Sequence, residues 1–151
     1  VRPLYLRQGE RTLSLMVPWP PLLLAARERT LYVVALRGGR RPTARTPLYH
    51  APLMNVHATG QVCTGNADLP AETTLATLAA WQAVLTDTWF THVNHPNTLR
   101  LPDSTGMAVD TRRYLRFWRD LAKRRAERFP VACLTPLGLT LEGFLRRLTR
   151  S

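Results

Sequence analysis

The feature that most constrains this chain is a change in the spacing of its apolar residues near residue 70. Before that point apolar residues come in short strand-length runs, and after it they return every three or four positions. "TLSLMV" at 12–17 alternates polar and apolar side chains, and "PWPP" at 18–21 ends that strand because proline has no N–H to donate to a ladder. "LLLAA" at 22–26 and "TLYVVALR" at 30–37 flank the polar "RER" and predict an antiparallel hairpin. "GGRRPTART" reads as a loop, and "TPLYH" at 46–50 as a further short strand. The first third of the chain is therefore expected to be an antiparallel β-meander of three or four strands over about 12–50.

Beyond the change in spacing, Pro70 suits a first helical turn and Glu72 suits its positive end. Leu75, Leu78, Ala79, Gln82, Leu85 and Trp89 then predict a mostly apolar, well-covered helix over about 70–89. The polar link "THVNHPNTLRLPDSTG" leads to Asp110, a fitting N-cap for a helix over about 111–129 that Pro130 stops. Its apolar stripe is Tyr114, Leu115, Trp118, Leu121, Ala122 and Phe129; Arg112, Arg113, Arg116 and Arg119 lie mainly elsewhere and make the other face basic. Leu141, Phe144, Leu145 and Leu148 mark a last helix over about 140–149, entered at Thr140. Strands followed by helices, without alternation, define an α+β class. The length, 151 residues, fits a single domain, with the segment 51–69 as the loop between its two halves.

Composition narrows the setting. No apolar run reaches the ~18 residues of a membrane helix, so no membrane role is expected. "VRPLYLRQGE" places a proline and charges where a signal peptide has its apolar core, and no export signal is read there. Cys63 and Cys133 are the only cysteines, and without a Cys-rich framework they read as free thiols in a reducing cytoplasm. Four scattered histidines, with neither C-x-x-C nor H-E-x-x-H, predict no metal site. No cofactor is expected. The net charge of +11 implies an acidic partner, although arginine-rich codon usage would give the same skew: Lys123 is the only lysine.

Cys133 lies in "FPVACLTPLGL", apolar on both sides, and reads as structural. Cys63 differs. It ends the pattern N-V-x-x-x-G-x-V-C, running from Asn55 through Gly60 and Val62, and Gly65 and Asn66 follow it. A glycine turn lets such a segment fold back, so that Asn55 can lie beside the thiol and either support its loop or donate to a developing oxyanion. His57, His92 and His95 are possible assistants in deprotonating an incoming amine. Individually these three and His50 read more simply as solvent-facing or structural. Trp81, Trp89 and Trp118 read as core, and Trp19 as either a docking ring or a cover for the strands.

The run resembles the active-site signature of ubiquitin-conjugating (E2) enzymes, in which an H-P-N tripeptide and a G-x-I-C segment bracket the same interval. On that resemblance Asn55 takes the place of the signature asparagine and Cys63 that of the thioester-forming cysteine. Leu53 and Met54 stand where the signature has His and Pro, and "TGN" follows the cysteine where apolar and acidic residues are usual. A longer stretch, with "VPWPPLLL", "LYVVALRGGRRP" and "RPTARTPLYHAPLMNVHATGQVCTGNADLP" before "WFTHVNH", is similar to the PRTRC-system protein B family of bacterial mobile elements. That family is regarded as E2-like. It accompanies an E1-like ThiF-type adenylating protein, a ubiquitin-like protein and a JAB-type metalloprotease.

The resemblance implies a UBC-like fold and covalent transfer: Cys63 accepts the C-terminal acyl group of a ubiquitin-like protein as a thioester, and an amine then attacks it. Two other readings compete. A basic nucleic-acid-binding module of a plasmid system would use the arginines of the second helix, but no helix-turn-helix, RNP motif or zinc finger accompanies them. An E2-like scaffold without activity would explain the missing His-Pro pair.

Overall fold

The computed structural model describes residues 1–65, 67–101 and 109–150; Asn66, residues 102–108, which include the end of the polar link, and Ser151 lie outside the described residues. The strand-like runs form two sheets, not one meander. In the first, β1 (Arg2–Gln8) and β2 (Arg11–Val17) pair antiparallel, with Arg2 opposite Val17 and Gln8 opposite Arg11. Prolines 18, 20 and 21 then break the chain away, as proline must. The second sheet has the order β3 (Leu22–Arg27), β4 (Thr30–Ala35), β5 (Pro47–His50), β6 (Pro136–Thr140), each pair antiparallel. The expected β3–β4 hairpin turns at Glu28 and Arg29, with Glu28 at a φ of +54°.

The helical region departs from expectation at two places. Leu75–Thr77 is a single 3-10 turn, and α1 runs only over Leu78–Thr86. It is not well covered: Trp81 and Leu85 are buried, but Leu75 is 92% and Leu78 60% exposed. The second helix, α2 (Thr111–Lys123), begins as expected, its Asp110 carboxylate accepting from the Arg113 N–H at 2.8 Å. It ends well before Pro130, because Arg125 adopts a φ of +50° and the Ala126 N–H turns back to the Leu121 carbonyl at 3.0 Å. The last helix, α3 (Leu141–Arg150), buries Phe144 and Leu148, while Leu145 faces solvent. Among the described residues no helix is long and apolar enough to cross a membrane.

β4 separates two apolar clusters. Leu31 and Val33 face the larger one, with Leu4, Leu6, Tyr114 and Trp118, so that α2 and the β1–β2 hairpin share one core. Val34 faces the smaller one, formed with Leu48, Phe144 and Leu148 under α3. Each large side chain so buried stabilises the fold by about 1.5–3 kcal/mol. Tyr114 has a second task. Its hydroxyl donates to the Pro52 carbonyl at 3.0 Å and accepts from the Met54 N–H at 3.2 Å, fixing the segment that enters the cysteine loop. Burial pushes its phenol pKa well up, so it stays a donor.

Candidate active site

Residues 55–63 form a tight hairpin. Val56 pairs with Val62, and the Cys63 N–H donates to the Asn55 carbonyl at 2.6 Å and the His57 N–H to the Gln61 carbonyl at 2.8 Å. Gly60 makes the turn at a φ of +87°, and a Cβ there would sit 3.1 Å from the Val33 carbonyl oxygen. The close approach exists because the hairpin lies on β4: the Val33 N–H donates to Gly60 O and the Val62 N–H to Leu31 O, both at 2.8 Å. β5 pairs only with Val34 and Ala35, so the start of the same strand edge is open to the cysteine segment.

On its other side the hairpin meets residues 89–92. The Asn55 N–H donates to the His92 carbonyl at 3.0 Å, and Phe90 in turn exchanges hydrogen bonds with β1 through Arg7 N–H and Tyr5 O at 2.9 and 2.8 Å. The cysteine segment therefore bridges the two sheets. Asn55 holds this seam with its side chain. Its Oδ1 accepts from the Thr91 N–H at 3.1 Å and the Thr91 hydroxyl at 3.0 Å, and its Nδ2 donates to the Trp89 carbonyl at 3.1 Å. A backbone N–H can only donate, so Thr91 fixes which end of the amide is oxygen. Asn55 also sits at a φ of +58°, which asparagine tolerates better than most residues. Of the two roles that the spacing allows, these bonds form the loop-supporting one.

Cys63 is exposed, whereas Cys133 is buried, and burial raises the Cys133 thiol pKa. Both are free thiols. Cys63 opens onto a groove of about 870 Å3 between the hairpin and α1, whose Ala80, Ala83 and Val84 form the facing wall. His92 lines this groove and its Nδ1 lies 2.9 Å from the Thr91 hydroxyl. His57 lies outside the groove lining, exposed, with its Nε2 3.4 Å from Asn94 Nδ2. His95 is buried against His50, ring centroids 4.7 Å apart, and also stands apart from the groove. Leu53 and Met54, which replace the signature His-Pro, are core residues at 0% and 1% exposure. Arg112, Arg116 and Arg119 are exposed on α2, with Arg113 half-buried beside them.

Several groove residues have no counterpart among the expected site residues. Trp89, expected in the core, lies beyond α1 at the rim, with the Arg7 guanidinium 5.1 Å above its ring. Asp68 and Asp87 add two carboxylates to the lining. The string "WFTHVNH" already marked the segment of Trp89 and Thr91, but nothing in the residue types disclosed their contact with Asn55. Trp19 covers the core, edge-on to Phe90 at 6.2 Å. Among the described residues no group of three or more metal-ligating side chains is close enough to hold a metal ion.

The His50–His95 pair has a measurable consequence. Neither ring nitrogen of His95 has a hydrogen-bond partner among the described residues, and burial, then the fields of His50 and His57, lowers its pKa to about 4. The unfolded chain, with a histidine pKa near 6.5, binds the proton first as pH falls. Stability is thus complete above about pH 6.5 and declines down to about pH 4, by about 3 kcal/mol from this residue. Urea denaturation of wild type and His95→Phe at pH 7 and pH 4 isolates it: the variant loses less on acidification. An equal loss in both proteins contradicts this origin.

An exposed thiol on a glycine-turned hairpin, set between antiparallel sheets and helices in a mixed α/β chain, is consistent with an E2-like protein. The model of prokaryotic E2 family D matches residues 2–137, and the chain belongs to that family. No curated protein and no solved structure gave a match.

Proposed function

We propose that this protein is a carrier of a ubiquitin-like protein, held as a thioester on Cys63 and passed to an amine, in a bacterial system of the PRTRC type. The observation that carries the proposal is the exposed Cys63 thiol, fixed by its hairpin at the mouth of an open groove. The Cys63 sulfur attacks the thioester carbonyl of a charged E1-like ThiF-type protein, a new S–acyl bond forms, and the E1 thiolate leaves. An amine nitrogen then attacks the acyl carbon, Cys63 departs as thiolate, and the amine proton passes to a base. The exchange between two thioesters is nearly isoenergetic, so no strongly activated nucleophile is required.

Within this reading Asn55 is a positioning residue, because its bonds go to residues 89–92. His92 takes the amine proton in this reading, which its position supports: it alone of His57, His92 and His95 lines the groove. A JAB-type metalloprotease would act on the same ubiquitin-like protein, before or after transfer.

Reconstitution with the E1-like protein, the ubiquitin-like protein and ATP tests the proposal. A thiol-reducible adduct is expected on wild type and on Cys133→Ala, and none on Cys63→Ala. An adduct that persists in Cys63→Ala sinks the assignment; no adduct on wild type, with a charged E1 present, favours the inactive scaffold.

A further inference from the structure

We propose that the solvent face of α2 binds the phosphate backbone of nucleic acid without reading its sequence. Arg112, Arg116, Arg119 and Lys123 stand at steps of four, three and four residues, and all four are exposed. At 3.6 residues per turn they fall within about 60° of helix surface and extend along roughly 16 Å of it. The buried side chains Tyr114, Leu115, Trp118 and Leu121 occupy the opposite side, so the stripe points outward. Arg124, Arg125 and Arg128 are exposed just beyond it. Residues 112–128 hold eight basic side chains against Asp120 and Glu127, a net +6 of the chain's +11.

A merely solvated face is built differently. Like charges four residues apart repel, and arginines in a first turn oppose the helix dipole; acidic residues interleaved along the stripe would remove both penalties. Here Asp120 is the only acidic residue in α2, and among the described residues no salt bridge engages the four stripe cations. The helix keeps an arrangement that destabilises it locally, which an anionic ligand would reverse.

The chemistry of the face favours phosphate over an acidic protein. Protein interfaces centre on apolar and aromatic anchors that exclude water. The large exposed apolar side chains of this protein, Met16, Leu75, Leu78, Trp89, Val131 and Leu145 among them, all lie outside α2. What the face offers is planar guanidinium forks, which match phosphate oxygens two at a time. A surface with charge and no apolar anchor suits a ligand recognised by charge alone.

The test is fluorescence anisotropy with a labelled 30-base-pair duplex across a salt series. Four phosphate contacts give a log–log slope of about −3 to −4. Two unrelated duplex sequences are expected to bind within about threefold of each other. The combined variant Arg112→Gln, Arg116→Gln, Arg119→Gln, Lys123→Gln is expected to lose about three units of slope and at least ~30-fold in affinity at low salt. Glutamine is a good helix former, and circular dichroism checks that α2 persists. The single variants Arg116→Gln and Arg119→Gln, too mild to unfold the protein, each remove about one unit. Neutralising Arg40, Arg41 and Arg45, on the loop between β4 and β5, leaves the slope within one unit. A combined variant with the wild-type slope overturns the proposal, and so does polyglutamate that displaces the duplex at equal charge, which would assign the face to an acidic protein. The result is independent of thioester chemistry: the same combined variant, charged on Cys63 as wild type is, separates the two activities.

Discussion

Asn55→Ala is expected to lower stability by about 3 kcal/mol and to slow charging of Cys63 at least tenfold. The change removes the acceptor of the Thr91 N–H and hydroxyl and the donor to the Trp89 carbonyl, and leaving such part-buried groups unpaired costs about 2 kcal/mol in total. Alanine keeps the Cβ at this +58° φ but loses the local side-chain hydrogen bonding that lets asparagine adopt it, a further cost of up to about 1 kcal/mol. Asn55→Gly relieves only the second cost, so it should lie about 1 kcal/mol above the alanine variant and remain well below wild type. Thr91→Val tests whether the role is positional: it keeps the Asn55 amide and removes the hydroxyl's bond to Oδ1 together with its contact to His92 Nδ1, and a loss of about 1–2 kcal/mol with slower charging is expected. If Asn55 served only by donating to the reacting carbonyl, Thr91→Val would leave charging untouched. Denaturant titration and single-turnover charging read both quantities.

Gly60→Ala is expected to cost about 3 kcal/mol, a fall in melting temperature of roughly 8 °C. The φ of +87° accounts for part, and the contact of the new Cβ at 3.1 Å from the Val33 carbonyl for the rest, since a backbone oxygen in a sheet cannot swing aside. Gly9→Ala supplies the comparison, because its φ is +57° but nothing lies within 4 Å of the added carbon. It should cost only about 1 kcal/mol. Equal losses in calorimetry would mean that the packing of the hairpin on β4 contributes nothing.

Local chemistry was legible in the sequence wherever it alone decides the structure. The β3–β4 hairpin, the Asp110 cap and the stripe from Tyr114 to Leu121 follow from spacing and residue type. No strand was expected at β1, where Pro3 and flanking arginines interrupt the pattern, or at β6, with its Pro136 and Gly138; tertiary pairing makes both strand. Leu75 and Leu78 show the converse: helical spacing states that a face is apolar, not that anything covers it. At the site, the fold-back from Asn55 to Cys63 could be read because a glycine permits it. The partners of the Asn55 side chain could not, since two of them are backbone groups more than thirty positions away that any sequence carries.

The seating of the cysteine hairpin on β4 has a mechanical meaning. A protein cargo tethered at Cys63, as the proposed function requires, would pull on its anchor. That pull reaches Val62 and Gly60 first and is borne by their ladder bonds to Leu31 and Val33, on a strand gripped along its other edge by β3. Through Asn55 and residues 90–92 it is shared with β1 as well. On the proposed function the thiol would be a fixed bollard and not the end of a loose rope, and an approaching amine would find the acyl carbon at a constant place relative to the groove.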